Sequence, residues 1–293
     1  EVSADHICSK HATPAKGVLT GFSCGIDSYC VMADHYYADP TEGFKVTHLL
    51  FNNVGSHGQG GERVFRERYE RLSSHAEHLG LPLLIVNSNL SSFYTPVIGF
   101  QKTHTMRNTS VALLLQQGIG RYLYASTFDY ASTAIRASYD ISFSDTVLLP
   151  MMSTNRLDAV STGSQHSRVE KTLRVAKLKD SYAALDVCTT TDSKSQYPNC
   201  GKCSKCFRTL ATLEIAGLLD RYSDVFDLDN YRRYRRKGFM KSLTNKDPFS
   251  REIIAFAKEN DFPIPLASRL TLRRLSVNYK QWRAYWKEKA LSR

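Results

Sequence analysis

Residues 17–28 read GVLTGFSCGIDS, and this stretch decides the fold of the chain. The apolar run at 17–22 predicts a buried strand, and the small polar residues at 23–28 predict a turn. A helix is expected to follow over 29–37. A strand, a short turn and a helix in this order are typical of the start of an α/β domain.

The turn has the parts of a phosphate-binding loop. Its backbone N–H groups lie beside the positive end of the following helix dipole, where anions bind. Gly25 lets the backbone approach a ligand closely, and the hydroxyls of Ser23 and Ser28 add donors. Asp27 suits this place if it serves a Mg²⁺ ion or caps the helix. We expect bound phosphate here, the alternative being a serine-rich turn without a ligand.

Further strands and helices alternate along the chain. Strands are predicted at 45–51, 83–86 and 121–126, and helices at 62–79 and 105–117. Ser167 and Glu170 form a capping-box pattern, which predicts another helix start at Ser167. The alternation predicts a parallel, doubly wound sheet that binds its ligand beyond the carboxyl ends of the strands.

Composition and charge narrow the class of protein. Of the 293 residues, 42% are apolar and 23% are charged, as in an ordinary globular protein. No apolar run approaches the ~20 residues of a membrane span, so no membrane partner is expected. Of the net charge of +11, residues 218–293 carry +9 and residues 1–217 carry +2. The basic C-terminal quarter suits binding to nucleic acid, to an acidic partner or to anionic lipid, and the alternative is a solvated face.

Four of the seven cysteines lie close together: Cys188, Cys200, Cys203 and Cys206. An odd cysteine count with this clustering favours a metal site in a reducing, cytoplasmic compartment over a disulfide framework. Four thiolates suit a structural Zn²⁺ ion, and an iron–sulfur cluster or unrelated buried thiols are the alternatives. Cys8 and Cys30 have no such context and are interpreted as small hydrophobic residues.

The loop resembles the Ser-Gly-Gly-x-Asp-Ser signature of the PP-loop ATP pyrophosphatases, with Cys24 in place of the first glycine. That superfamily includes NAD synthetase, asparagine synthetase, tRNA thiolases and the 7-cyano-7-deazaguanine synthase of the queuosine pathway. The resemblance implies that ATP binds at Ser23, Cys24, Gly25, Ile26, Asp27 and Ser28. It also implies an adenine nucleotide alpha hydrolase-like (HUP-type) fold with strand order 3-2-1-4-5.

The 7-cyano-7-deazaguanine synthase branch is the most similar part of the superfamily. Its cysteine pattern resembles Cys188 followed by the run from Cys200-Gly201 to Cys206-Phe207-Arg208, which in the family holds zinc near the active site. Further positions follow from the resemblance. Arg107, Arg168 and Lys171 join Asp27 as catalytic candidates, and Phe51, Asn108 and Asp129 join the loop as cofactor-binding candidates. For the cations the alternative is a solvated face, and His57 is more simply solvated than bound to substrate.

The resemblance implies a ligase that uses ATP and Mg²⁺ beside a zinc site. It activates a carboxylate or carbonyl oxygen, releases pyrophosphate, and transfers nitrogen to the adenylated substrate. The resemblance runs from about Lys16 to Gly217. We interpret residues 1–217 as the PP-loop domain, with the zinc site at 188–206, and residues 218–293 as a basic helical module. The loop at 52–61, an insert at 153–166 and this module suggest a substrate other than that of the named synthase. A tRNA-modifying enzyme and a non-catalytic nucleotide-binding relative are the competing interpretations.

The C-terminal module carries aromatic residues among its cations. Residues 231–237 read YRRYRRK, and Tyr279, Trp282, Tyr285 and Trp286 fall on roughly one helical face. Such rings either pack the module against other helices or stack on RNA bases. We expect packing, and RNA binding by this module is the alternative. ATP and a small-molecule acceptor are the expected partners. The sequence leaves a homodimer open.

Overall fold

The computed structural model describes residues 13–56, 61–94, 98–188, 196–245 and 247–264. The chain forms two compact units, Glu1–Asp186 and Val187–Arg293. The division drawn from the sequence, after residue 217, follows the family resemblance rather than compactness and stays a prediction.

The first unit is built on a five-stranded, all-parallel sheet. Its strands are β1 (Gly17–Gly21), β2 (His48–Asn53), β3 (Leu83–Asn87), β4 (Ile119–Ala125) and β5 (Asp158–Thr162). Their order is β3-β2-β1-β4-β5, so the predicted order is confirmed. The central strand β1 is almost fully buried because it has a neighbour on each side and reads as a continuous apolar run.

Helices connect these strands. They are α1 (Ile26–Met32), α2 (Gly61–His78), α3 (Leu90–Tyr94), α4 (His104–Leu114), α5 (Asp145–Met151), α6 (Arg168–Val175) and α7 (Ser181–Ala184). A π-helical turn, Ala33–Tyr37, continues α1, and short 3₁₀ helices cover Phe100–Lys102, Tyr130–Ser132 and Ile141–Ser144. The capping box at Ser167 is present and starts α6, as the sequence predicts.

Several details differ from the sequence prediction, among them the start of β4 at Ile119 rather than residue 121 and the start of α1 at Ile26 rather than residue 29. The segment 153–166, interpreted as an insert, contains β5, which pairs with β4 along its whole length. The interpretation missed it because β5 reads DAVST, with polar residues at both ends. Strand β2 begins at His48 rather than residue 45, and α4 ends at Leu114 rather than residue 117.

The second unit contains α8 (Ser204–Ile215), α9 (Leu228–Thr244) and α10 (Pro248–Glu259), with a 3₁₀ helix at Leu219–Tyr222. The ring of Phe207 on α8 lies 5.3 Å from that of Phe239 on α9. A side chain at Gly238 would come within 2.2 Å of the Phe207 ring, so only glycine lets the two helices approach this closely. In the described parts of the chain, no helix is both long enough and apolar enough to cross a membrane.

Candidate functional site

The loop between β1 and α1 lies at the carboxyl edge of the sheet. Cys24 has a φ of +54°, a conformation that L-residues avoid and glycine adopts freely. Its carbonyl accepts the N–H of Asp186 at 2.9 Å, which holds the peptide in place. Gly25 is the N-cap of α1 in an extended conformation. The left-handed turn accounts for a glycine at this position in the signature that the loop resembles.

Two serines shape the loop. Ser28 is buried, and its hydroxyl donates to the Gly25 carbonyl at 3.0 Å. The N–H of Ser23 points at the same hydroxyl oxygen over a longer 3.5 Å. Ser23 itself is exposed. Ser28 therefore closes the turn, and Ser23 is exposed. The first N–H groups of α1 have no carbonyl of a preceding helical turn to bond, as at any helix start.

Asp27 lies between two cations from α6. One carboxylate oxygen accepts from Arg168 at 2.8 Å, and the other, Oδ1, lies 3.6 Å from Nζ of Lys171. Oδ1 is buried and has no hydrogen-bond partner among the described residues. Asp27 and Arg168 are 141 positions apart in the chain, so the parallel sheet is what brings them together.

Lys171 is a buried ammonium, with a relative exposure of 1%. It donates to the carbonyl and the hydroxyl of Ser126 at 2.7 and 2.9 Å, directly after β4. Burial lowers the pKa of Lys171, and the Asp27 carboxylate opposes that shift. The ammonium has three N–H donors, and Ser126 accepts hydrogen bonds from two of them. The third can point towards Asp27. With Arg168, the cluster has two cations for one carboxylate.

The other predicted residues have different surroundings. Arg107 is buried, donates to Thr103 and to the carbonyl of Val54 at 3.0 Å, and stacks on the ring of Tyr94. Asn108 donates to the His104 carbonyl within its own helix. In the described parts of the chain, neither contacts the Asp27 cluster. Arg107 thus holds the segment after β2, a role that the sequence did not indicate.

The last two candidates are Asp129 and Phe51. Asp129 caps the 3₁₀ helix after β4 by accepting the N–H of Ser132 at 3.0 Å. Phe51 is buried on β2, and its ring stacks on Phe65 with centroids 4.8 Å apart. Asp129 lies near the carboxyl edge of β4, as predicted, but its carboxylate already serves the cap. His57 and Cys8 lie outside the described residues, as do the four aromatics at 279–286.

Sequence reasoning missed a buried polar network behind β4. His104 contacts the Tyr124 hydroxyl through Nδ1 and the Asp140 carboxylate through Nε2, each at 3.0 Å. Thr105 donates to Asp145 at 2.7 Å. Burial raises the pKa of Asp145 to about 6. The groups come from three segments of the chain, so no pattern within one segment predicts the network.

It also missed a group formed by Cys30, Asp34 and His166, whose potential ligand atoms all lie within 4.8 Å of one another. Cys30 is buried, in agreement with its interpretation as a small hydrophobic residue, and its sulfur also lies beside two other potential metal ligands. The available signal was the spacing of Cys30 and Asp34, four residues apart on one helical face.

The four clustered cysteines converge in the second unit and could hold a metal ion. The Sγ atoms of Cys188 and Cys203 are 3.8 Å apart, and those of Cys200 and Cys206 are 3.9 Å apart. The N–H of Cys203 points at the sulfur of Cys200 at 3.4 Å, as is usual where a turn wraps thiolates. The predicted metal set is confirmed as a spatial cluster.

A buried asparagine and a glycine hold the chain around these sulfurs. The side-chain oxygen of Asn199 accepts the N–H groups of Val187 and Cys188 at 2.8 and 3.1 Å, and its amide donates to Val225. Gly201 has a φ of +68° and passes so close to Asp227 that a Cβ would lie 2.0 Å from that carbonyl oxygen. These contacts hold the backbone around the four cysteines in place, in addition to any metal ion that the sulfurs bind.

No protein-family model, curated protein or solved structure matches this chain. The resemblance to the PP-loop enzymes accordingly rests on the quoted residues alone.

Proposed function

We propose that the chain is an ATP-dependent ligase that cleaves ATP between its α- and β-phosphates. The observation that carries this proposal is Asp27 on a phosphate-loop turn, held between Arg168 and the buried Lys171. Two cations for one carboxylate leave an excess positive charge, which suits an anionic ligand at the carboxyl edge of a parallel sheet. Oδ1 of Asp27 forms a 3.6 Å ion pair with Lys171 but no hydrogen bond among the described residues, and it is a hard oxygen ligand of the kind that Mg²⁺ prefers.

The residues have separate tasks in this proposal. The outer N–H groups of the loop bind the β- and γ-phosphates, and Ser23 adds a hydroxyl. Lys171 and Arg168 face the α-phosphate, where a carboxylate or carbonyl oxygen of the substrate attacks phosphorus. Negative charge then builds on the phosphoryl oxygens and on the departing pyrophosphate, and fixed cations stabilise it. Mg²⁺ held by Asp27 would add charge neutralisation. An amine or ammonia then displaces AMP from the adenylated substrate.

The cysteine cluster fits a structural Zn²⁺ ion. Four sulfurs at ~2.3 Å from one tetrahedral ion lie ~3.8 Å apart, which agrees with the separations in this chain. The donor set is complete, so no position remains for a water molecule or a substrate. The role of the zinc ion would therefore be to stabilise the turn before α8.

RNA modification remains a second candidate, because α9 has a basic face. Arg233, Lys237 and Lys241 recur every four residues, all are exposed, and none forms an ion pair within the described parts of the chain. Tyr231 on the same helix is buried and donates to Glu214 at 2.7 Å, so it packs rather than stacks on bases. Salt-dependent tRNA binding that disappears when the three cations become glutamine would favour this candidate.

The experiment for the main proposal measures pyrophosphate release from ATP in two variants. Asp27→Asn removes the carboxylate, and Ser28→Ala opens the turn. Each is expected to lower release at least ~100-fold, the usual effect of losing one preorganised electrostatic contact. Asp39→Asn and Ser74→Ala are matched controls at exposed positions and should match the unaltered chain. Unchanged release in both site variants would refute the placement.

A further inference from the structure

Cys30, Asp34 and His166 form a compact group of three different potential ligands. Cys30 lies on α1, and Asp34 lies four residues later in the π-helical turn, so both face the same side. His166 comes from the segment between β5 and α6, 132 positions after Asp34. Their sulfur, oxygen and nitrogen atoms all lie within 4.8 Å of one another. π-helical turns are rare and frequently lie at functional sites, so this turn at the end of α1 draws attention to Asp34.

The spacing within the group suits a metal ion better than a hydrogen bond. Nε2 of His166 lies 3.6 Å from Oδ2 of Asp34, which is too long for a good hydrogen bond. Nitrogen and oxygen ligands at ~2.1 Å from one tetrahedral ion lie ~3.4 Å apart. A small contraction would therefore bring both atoms to coordination distance.

Further side chains orient the Asp34 carboxylate. Arg174 forms an ion pair with Oδ1, and the amide of Gln165 donates to Oδ2 at 3.2 Å. Oδ2 has two lone pairs, so one remains after the contact with Gln165. Metal-binding carboxylates are usually held by such outer partners. An ion pair with Arg174 alone is the competing explanation, but it assigns no role to Cys30.

The three side chains differ in exposure, so the group is closed on the side of Cys30 and open to solvent on the side of Asp34 and His166. Cys30 is 1% exposed, whereas the side chains of Asp34 and His166 are 11% and 20% exposed. Behind the sulfur, a Cβ on Gly163 would lie 3.7 Å from Cys30 and 3.6 Å from Lys171, so this wall is close-packed. A bound ion would have three protein ligands and one face turned to solvent.

We propose that Cys30, Asp34 and His166 bind a second Zn²⁺ ion in an open site. One thiolate, one imidazole and one carboxylate are a donor set that Zn²⁺ accepts, and three protein ligands with a free position distinguish accessible zinc sites from structural ones. The site is independent of the four-cysteine cluster, and it does not require that the loop binds ATP.

Metal content of the full-length chain tests the proposal. The protein is dialysed against Zn²⁺ and then against metal-free buffer, and all transition metals are counted per chain. The expected result is two zinc ions in the unaltered protein and one in Cys30→Ala and His166→Ala. Cys24→Ala, which removes a buried thiol outside the group, should keep two. Arg174→Gln should also keep two but bind one of them ~10–100-fold more weakly, as expected when an outer partner is lost.

Cobalt substitution gives a second reading that does not depend on zinc counts. A Co²⁺ ion with a single thiolate adds a weak sulfur-to-metal band to the stronger spectrum of the four-cysteine site. Cys30→Ala should remove the added band and leave the stronger one. His166 is partly exposed, so His166→Ala keeps the test valid if Cys30→Ala does not fold. One zinc ion per chain in the folded, unaltered protein, or two in both folded variants, would overturn the proposal.

Discussion

Cys24 holds its backbone at a φ of +54°, which costs a residue with a side chain about 1–2 kcal/mol. Its thiol is buried, and burial raises its pKa well above the usual range, so it is a neutral thiol at physiological pH. A neutral, buried thiol is a poor nucleophile. We therefore interpret Cys24 as a residue that occupies a glycine position, not as a reacting group.

Substitutions at Cys24 test this interpretation. Cys24→Gly should keep pyrophosphate release, because relief of strain offsets the lost burial of the thiol. Cys24→Ala, which keeps the strain and removes only the sulfur, should also keep it. Cys24→Val should unfold at lower temperature and lose release, since a β-branched residue is strongly disfavoured at positive φ. A folded Cys24→Ala variant without pyrophosphate release would show that the sulfur takes part in the chemistry.

Asp145 makes stability depend on pH. Burial raises its pKa to about 6, whereas an unfolded chain has a value of about 3.9. Between these values the folded state binds the proton more tightly, so the free energy of unfolding falls as pH rises from about 4 to about 6. The loss is on the order of 2 kcal/mol. Asp145→Asn keeps an acceptor for Thr105 and should flatten this part of a melting-temperature profile. An unaltered profile in the variant would contradict the assignment.

At the scale of single elements, the turn around the four cysteines depends on Gly201. Gly201 and Gly217 have nearly the same φ, +68° and +69°, but only Gly201 faces a close neighbour. Gly217→Ala should therefore cost about 1 kcal/mol through its backbone alone. Gly201→Ala should cost several times more and lower the metal content, because the carbonyl of Asp227 must move. Equal losses in thermal unfolding would show that packing at Gly201 does not hold the turn.

Local patterns were enough to predict most elements. The capping box at Ser167, the apolar run of β1 and the helical spacing of α2 are signals within one segment, and the structure contains all three. Strand β5 lacked such a signal, because its burial comes from pairing with β4 rather than from its own composition. The cluster of four cysteines that could hold a metal ion was predictable because three of them lie within seven residues.

At the scale of the whole molecule, the sequence predicted which edge of the sheet carries the candidate site but not most contacts within it. The alternation of strands and helices is enough to bring Asp27 and Lys171 to the same edge. Local patterns do not show which segments pack together in three dimensions. They therefore could not predict the hydrogen bonds of Lys171 to Ser126 or the short distance between His166 and Cys30. The hydrogen bond of the buried Arg107 to the Val54 carbonyl likewise has no signal in the local sequence, and the anion contact assigned to Arg107 stays a prediction.

The nucleotide product formed from ATP labelled at its α-phosphate tests the central claim most directly. The full-length chain is incubated with this ATP, Mg²⁺, ammonium and a panel of small carboxylic acids, and the products are separated by chromatography. We predict AMP with an equal amount of pyrophosphate, and at least ~100-fold less of both with Asp27→Asn, because the proposed reaction is an attack at the α-phosphorus beside Lys171 and Arg168. Labelled ADP with free phosphate, or AMP that the Asp27→Asn variant forms equally well, would contradict the account.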